Sequence, residues 1–250
     1  RQRQMCIRDS TISDFTNTSS PTTGLEISGG SVDVSTLNIN SATGKYLVLS
    51  SHSGVISNST FTLSDSTTDA VIDIQSGSTT FSGTTTLKAT DTSVEFDNNL
   101  NIFDIYSGYT SSSIPDIVFS TPSIFKLTSG QSYELFSNTT FNGTVNCDNA
   151  TISRGTEAKS ICNITFENNN KTFTDMTLSS CGSLILNSLD NTNSISLTNN
   201  NSPSNGLKLD GGSVNITSLT INSATNDYLL SDNHTGTISS IILDVDSNFS

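Results

Sequence analysis

Short runs in which apolar and polar residues alternate recur along this chain. A run of three or four such residues, bounded by Ser, Gly, Asn or Asp, predicts a β-strand with one buried face. The 3.6-residue periodicity of an amphipathic helix is missing from the sequence, and Ala, Glu, Lys and Arg are scarce. The pattern therefore predicts an all-β protein, and its clearest strands are residues 25–27, 32–34, 37–39, 61–63, 94–96, 207–209, 214–216 and 219–221.

These runs return at a regular spacing. Most successive starts are about 21 to 25 residues apart, which is typical of one coil of a parallel β-helix. Stacked coils place Leu, Ile, Val and Phe in continuous inward stacks and Thr, Ser and Asp in outward ladders. A β-sandwich, the rival fold, explains the short strands but not this spacing. The predicted coils begin near Gly24, Lys45, Ala70, Ser93, Asp116, Ser160, Ser183, Gly206 and Asp227, with about two coils between Asp116 and Ser160.

An internal repeat keeps the same register. Residues 21–54 return at 203–236 without insertion or deletion, at a constant offset of 206 − 24 = 182. Eight coils of about 23 residues account for this offset. We therefore predict a single-stranded parallel β-helix, or β-solenoid, with about ten coils of about 23 residues. Asn tolerates a left-handed backbone and is predicted at the corners, at Asn38, Asn40, Asn98, Asn99, 168–170 and 199–201.

Residues 1–10 differ from the rest of the chain. They hold Arg1, Arg3 and Arg8, three of its four arginines, and resemble a translated sequencing-adapter read. We interpret this segment as non-native and leave it out of the fold. Residues 11–250 are then predicted to form one continuous β-solenoid. Because no capping coils are evident, we expect this solenoid to be a fragment of a longer repetitive protein.

The chain is strongly acidic. Its 10 basic and 23 acidic residues give a net charge of −13, and without residues 1–10 the balance is 7 − 22 = −15. Nucleic acids and anionic membrane surfaces are bound by clustered Lys and Arg, and a membrane-spanning helix needs about 18 or more apolar residues. We expect neither a nucleic-acid partner nor a membrane-spanning segment.

Two short motifs carry a family resemblance. They are Gly-Gly-Ser-Val at residues 29–32 and 211–214, and Phe-x-Asn-Asn at 96–99 and 166–169. In strands rich in Ser and Asn, they resemble the repeats of polymorphic outer-membrane and autotransporter-type β-helix passengers, which usually carry Ala where this chain has Ser. The resemblance implies a right-handed, pectin lyase-like parallel β-helix displayed at a cell surface as a stalk or adhesin.

Histidine and cysteine do not form a recognisable site. His52 and His234, the two histidines, occupy equivalent repeat positions; eight coils would separate them by about 38 Å, so we interpret each as an exposed turn residue. Cys147, Cys162 and Cys181 lack CxxC spacing. They are either three small buried residues or one disulfide with a free thiol.

Carboxylates offer the main alternative chemistry. A polysaccharide-cleaving β-helix enzyme needs paired carboxylates and a Lys or Arg on one face. Asp65, Asp69 and Asp73 lie four residues apart, which on one strand places them on the same face; Asp91, Glu95 and Asp97 form a looser group. Since no Asp-Asp pair, Gly-His-Gly or Arg-x-Lys accompanies them, we interpret them as solvated loop carboxylates. The repeat patterns of calcium-binding solenoids and EF-hands are likewise missing.

Thr and Asn patterns add two weaker signals. Residues 78–87 hold Thr clusters that suggest an ice-binding face, but the other coils lack a matching Thr-x-Thr column. Sequons permit glycosylation in a secretory pathway, and they include Asn17, Asn58, Asn138, Asn142, Asn149, Asn163, Asn170, Asn200, Asn215, Asn233 and Asn248.

From the sequence we predict an extracellular or cell-surface β-solenoid with a structural or adhesive role. Its ligand would be an unidentified surface protein or glycan. We predict no enzymatic activity, no catalytic residue, no cofactor and no metal site. The alternative is a carbohydrate-active β-helix enzyme, a polysaccharide lyase or hydrolase.

Overall fold

The computed structural model describes residues 11–12, 15–17, 20–65, 69–109, 114–154, 163–167, 171–174, 176–179, 184–187, 194–199, 206–210, 213, 215–221, 224 and 226–243. The regular structure of these residues is entirely β-strand, as the alternating pattern predicts. The strands are β1 (Thr11–Ile12), β2 (Phe15–Asn17), β3 (Leu25–Ser28), β4 (Asp33–Ile39), β5 (Leu47–Ser50), β6 (Val55–Leu63), β7 (Ile72–Ile74), β8 (Thr80–Phe81), β9 (Thr84–Ala89), β10 (Glu95–Phe96), β11 (Phe103–Ile105), β12 (Asp116–Ser120), β13 (Ile124–Leu127), β14 (Ser132–Leu135), β15 (Thr139–Phe141), β16 (Thr144–Asp148), β17 (Thr151–Arg154), β18 (Ile164–Glu167), β19 (Lys171–Thr174), β20 (Met176–Ser179), β21 (Leu184–Asn187), β22 (Ser194–Asn199), β23 (Leu207–Asp210), β24 (Asn215–Ile221), β25 (Leu229–Asp232) and β26 (Ile241–Leu243).

The strands stack in parallel as a β-solenoid of about eight turns, with a turn spacing of roughly 22 residues. The predicted fold class is confirmed, with fewer turns described than the ten predicted for residues 11–250. A sandwich of antiparallel sheets does not fit, because the strands pair in parallel in both compact units, Arg1–Ser123 and Ile124–Ser250.

In the first unit, two stacks of strands enclose the core. One contains β1 and β2, then β4, β6, β9 and β12; the other contains β3, β5, β7 and β11. Ile39, Phe61, Leu87 and Phe119 occupy successive register positions of the first stack and are fully buried. Each coil thus covers the apolar side chains of its neighbour, which is how a solenoid builds its core.

In the second unit, three stacks surround the core. They are β15, β18, β21, β23 and β25; β13, β16 and β19; and β14, β17, β20, β22, β24 and β26. The rings of Phe125, Phe141 and Phe166 follow one another with centroids 5.0 and 5.1 Å apart. In the stack from β15 to β25, aligned residues of successive strands are 164 − 139 = 25, 184 − 164 = 20, 207 − 184 = 23 and 229 − 207 = 22 residues apart in the sequence.

One charged residue lies in the core of the second unit. Lys171 aligns with Val145 on the neighbouring coil, is 1% exposed, and donates a hydrogen bond to the carbonyl oxygen of Gly143. Burial lowers the pKa of the Lys171 ammonium to about 8, and the negative charge of Glu167 opposes this shift. The sequence alternation does not reveal this residue, because a lysine on a strand is ordinarily outward.

The predicted coil starts agree with the aligned strands in the second unit, and two of them are wrong in the first. The runs that follow the predicted starts at Ser160, Ser183, Gly206 and Asp227 contain the aligned residues Ile164, Leu184, Leu207 and Leu229. Ser160 and Ser183 themselves lie outside the described residues. The start at Ser93 is wrong.

Phe103 of β11, not the run after Ser93, aligns with Ile72, so this coil spans 103 − 72 = 31 residues. Its corner is enlarged by β10 and by a turn in which Asp97 accepts the backbone N–H of Asn99. The start at Asp116 is wrong as well, since β12 aligns with β9 in the other stack.

The two copies of the repeat fold alike. β3, β4 and β5 begin 182 residues before β23, β24 and β25. A Cβ atom would lie 2.5 Å from the Tyr46 carbonyl oxygen at Gly24 and 2.2 Å from the Tyr228 carbonyl oxygen at Gly206. Only glycine permits so close an approach of two coils, which explains why both copies carry it.

The predicted Asn corners are partly correct. Asn40 follows the end of β4, and Asn98 and Asn99 lie in a turn. Asn38 is inside β4 and Asn199 is the last residue of β22, so for Asn38 the corner prediction is wrong. Residues 168–170 and 200–201 lie outside the described residues.

A candidate binding cleft at the duplicated corner

A cleft of about 330 Å³ opens in the first unit at the corner between β4 and β5. Residues 41–44 and Tyr46 form its main wall, and Ser20, Ser64 and Asp65 from adjacent coils complete it. Much of this wall belongs to the segment that the repeat duplicates. The cleft therefore gives that segment a candidate role that the sequence alone does not suggest.

The corner is held in place by buried anchors. Ala42 and Tyr46 are 6% and 3% exposed, and the Tyr46 ring meets Phe61 edge-on with centroids 6.1 Å apart. The backbone N–H of Thr43 donates to the carbonyl oxygen of Pro21 at 2.9 Å. Burial raises the pKa of the Tyr46 hydroxyl, with a smaller contribution from Asp65. The wall is thus built before any ligand arrives.

Polar groups meet at the mouth of the cleft. The hydroxyl oxygens of Ser20 and Ser41 are 2.6 Å apart, and the Asn17 amide donates to the Ser41 carbonyl oxygen at 3.1 Å. Asp65 is exposed. At Gly44, a Cβ would lie 3.3 Å from an Asp69 carboxylate oxygen, so Asp69 adjoins the same wall. The opening presents hydroxyls and carboxylates together.

An ion pair lies beside the cleft. Lys45 Nζ is 2.6 Å from Asp73 Oδ2, which also accepts a hydrogen bond from Gln75 Nε2 at 2.8 Å. The Asp73 side chain is 5% exposed, whereas Lys45 is 36% exposed. The hydrogen bond to Asp73 raises the pKa of Lys45 despite some burial, and the charges of Asp73, Asp104 and Asp69 add to this effect.

Asp104 extends this group. It is exposed and aligns with Asp73 on the next coil, β11 beside β7, so the two Cα atoms are about 4.8 Å apart. The structure thus places two carboxylates and one lysine on neighbouring strands. Sequence reasoning missed Lys45 and Asp104, although the coil register, which aligns residues near 45 with residues near 70, was the signal that could have found Lys45.

The predicted carboxylate groups are arranged differently from expectation. Asp65 and Asp69 lie in the corner between β6 and β7, while Asp73 is in β7, so the prediction of one shared strand face is wrong. Asp73 is also buried rather than solvated, because Lys45 compensates its charge and Gln75 donates a second hydrogen bond to it.

The other group serves the local backbone. Asp91 accepts hydrogen bonds from the Ser93 N–H and hydroxyl, which lower its pKa, and Asp97 caps the turn at Asn99. Glu95 is exposed on β10. Asp91 is an exposed loop carboxylate, as predicted, whereas Glu95 is exposed but lies on a strand and not in a loop.

His52 is buried, so the prediction of an exposed turn residue is wrong. Its Nδ1 lies 2.8 Å from the Thr79 hydroxyl and its Nε2 lies 2.8 Å from the Val32 carbonyl oxygen. Burial lowers the pKa of His52. Gly54 makes room for the ring, since a Cβ there would lie 2.8 Å from Nε2. His234 is half-buried in the second unit. Within the described ranges, no three His, Cys, Asp or Glu side chains are placed to hold a metal ion.

The remaining predicted features have mixed outcomes. Cys147 is buried with a free thiol, and burial raises its pKa to about 12; Cys162 and Cys181 lie outside the described residues. The outward column of the first unit reads Asn38, Thr60, Thr86, Val118, so no continuous Thr column exists there. Among the sequons, Asn17 is 9% exposed and Asn58 is exposed.

No protein-family model, curated protein or solved structure matches this chain. The resemblance to autotransporter-type passengers rests on the two short motifs alone. In the described part of the chain, no helix has the length and apolar character needed to cross a membrane.

Proposed function

We propose that this chain belongs to an extracellular or cell-surface β-solenoid that acts as a structural and adhesive element without catalytic activity. Its binding site is the corner cleft and its ligand is a glycan. The observation that carries the proposal is the cleft itself, in which serine hydroxyls and the Asp65 carboxylate surround a wall made by the duplicated segment.

The chemistry of the cleft supports a polyhydroxyl ligand. Its volume is at the lower end of the range for ligand pockets, which suits a short stretch of a larger glycan. Ser20, Ser41 and Ser64 can each donate and accept hydrogen bonds, and Asp65 accepts strong charge-assisted ones. Buried anchors hold the wall, so little conformational entropy is lost when a ligand binds.

The repeat supports adhesion rather than a single tight site. The sequence of this corner recurs at residues 222–228, and among the described residues there Ala224 and Tyr228 are buried like their counterparts Ala42 and Tyr46. Two weak sites on one molecule raise overall avidity without new contacts. Acidity and richness in Ser, Thr and Asn agree with a surface location, which antibodies against the purified chain would test by labelling intact cells of the source organism.

Glycan binding is tested by calorimetric titration of neutral and acidic oligosaccharides. We expect Asp65→Asn to weaken binding about tenfold or more, since a hydrogen bond to a charged group contributes about 1.5 to 3 kcal/mol. Glu134→Gln, which removes an exposed carboxylate of the second unit, should leave affinity unchanged. Equal affinity of Asp65→Asn and the parent chain, or a lack of binding by every oligosaccharide, would refute the cleft as the site.

The second candidate is a polysaccharide lyase or hydrolase, and the group of Lys45, Asp73 and Asp104 favours it. Two carboxylates and a lysine are the parts that such an enzyme uses as acid, base and substrate clamp. However, Asp73 Oδ2 is already engaged by two donors, which favours a structural ion pair. Assays for reducing sugars and for unsaturated products, with acidic polysaccharides as substrates, distinguish the enzyme from the adhesive element. Product release that is lost in folded Asp69→Ala or Asp73→Ala variants would establish the enzyme.

A further inference from the structure

The last described coil of the second unit exposes apolar side chains. Leu230 of β25 is 45% exposed, and Ile241, Ile242 and Leu243 of β26 are 44%, 57% and 40% exposed. β25 and β26 are the terminal strands of their stacks among the described residues. Their outer edges therefore offer both apolar surface and backbone hydrogen-bonding groups.

In the first unit, the residues equivalent to these exposed side chains are covered by a further coil. At the offset of 182, Leu230 corresponds to Val48 within the repeat. Ile241 and Leu243 correspond to Ser59 and Phe61 just beyond it, because β26 pairs with β24 in the register in which β6 pairs with β4. These residues are 6%, 4% and 0% exposed. The strands that carry them, β5 and β6, pair in parallel with β7 and with β8 and β9. The covering element is thus one coil, residues 70–89.

The covering coil also forms backbone hydrogen bonds with the coil that it covers. Gln75 N–H donates to the Leu49 carbonyl oxygen at 2.8 Å, and Ser78 N–H donates to the His52 carbonyl oxygen at 2.8 Å. It completes the surroundings of the His52 ring as well, through Thr79. The equivalent acceptors in the second copy are the carbonyls of Ser231 and His234.

We infer that the outer edge of β25 and β26 is a docking surface for one further parallel β-coil with the pattern of residues 70–89. Apolar side chains at the positions of Ile72 and Leu87, which align with Leu47 and Phe61 in the first copy, would cover Leu229 and Leu243. A Thr at the position of Thr79 would lie against His234. Ile242 faces outward like Thr60 and stays exposed in the assembled coil, so it does not belong to the docking surface.

The test is a chain in which residues 247–250 are replaced by a further coil. Residue 64 corresponds to residue 246, because 64 + 182 = 246, so residues 65–123 are joined after Asp246. Hydrogen exchange of peptides from residues 229–243 and binding of an apolar fluorescent dye are compared with the unextended chain. We expect exchange there to slow about tenfold or more and dye binding to fall.

Two matched variants keep the test specific. An extension whose residues at the positions of Ile72, Ile74 and Leu87 are all replaced by Asn should give no protection, because its apolar face is lost. Leu243→Asp within the extended chain should also remove the protection, since the carboxylate would be buried without a partner. Unchanged exchange in the extended parent, or equal protection by the Asn-substituted extension, overturns the inference. So do head-to-tail dimers of the unextended chain that protect residues 229–243, which would assign the edge to a second copy.

Discussion

Replacing Lys171 by methionine changes how stability depends on pH. In the folded protein the pKa of this lysine is about 8 instead of 10.5, because burial disfavours the ammonium. Between about pH 8 and 10.5, the unfolded chain keeps this proton and the folded chain releases it. The unfolded state then binds more protons, so the free energy of unfolding rises with pH across this window.

The magnitude follows from the size of the shift. A difference of about 2.5 pKa units at about 1.36 kcal/mol per unit corresponds to at most about 3 kcal/mol. At pH 7 the folded chain carries the full cost of the buried charge, which Lys171→Met removes. The variant also leaves the Gly143 carbonyl without its donor, at a cost of about 1 to 2 kcal/mol. We expect a net gain of about 1 to 2 kcal/mol at pH 7, shrinking towards pH 10.

The assay is urea unfolding at pH 7, 8, 9 and 10. Far-ultraviolet circular dichroism reports it, because the chain contains no Trp. Lys88→Met is the matched control, since Lys88 is a half-exposed lysine on β9. The parent and Lys88→Met should share the rise with pH, and Lys171→Met should lack it. Parallel pH profiles of the parent and Lys171→Met would refute the buried-charge explanation.

Three further outcomes are expected. His52→Gln should weaken the loss of stability on acidification below about pH 6.5, because the folded pKa of His52 is lowered and the unfolded state binds more protons there; His234→Gln is the control, and urea unfolding from pH 7 to 5 measures both. Gly24→Ala should cost about 1 to 3 kcal/mol, since its Cβ would meet the Tyr46 carbonyl; an unchanged unfolding midpoint would contradict that contact. Cys147 should resist alkylation at pH 8 until the chain is unfolded, because its thiol is buried and its pKa is about 12; peptide mass spectrometry reads this, and rapid labelling of the folded chain would contradict it.

Much of the fold is encoded locally. The inward stack of Ile39, Phe61, Leu87 and Phe119 follows from period-2 alternation combined with coil spacing, and both are visible in the sequence. The coil that contains Ser93 was misplaced because the length of a corner is not encoded by alternation. Both β10 and β11 have a sequence that can form the strand beside β7. Which of them pairs with β7 depends on contacts with the neighbouring coil, which the alternation does not show.

The candidate site was less predictable. Asp73 reads as an exposed acid because its partner Lys45 lies 73 − 45 = 28 residues earlier, across a coil boundary. His52 reads as a turn residue because its burial depends on the space left at Gly54 and on a hydroxyl from the next coil at Thr79. Such contacts arise from stacking, so they become visible only once the register between coils is known.

The regular ladder of the second unit also sets how this protein responds to force. Each coil is joined to the next by parallel ladder hydrogen bonds and inward contacts. A pull on the chain ends therefore loads the outermost strands first and detaches coils one at a time. With roughly 22 residues per turn, each detachment releases about 75 Å of extended chain. We therefore expect the unit to lengthen under load in small, repeated steps.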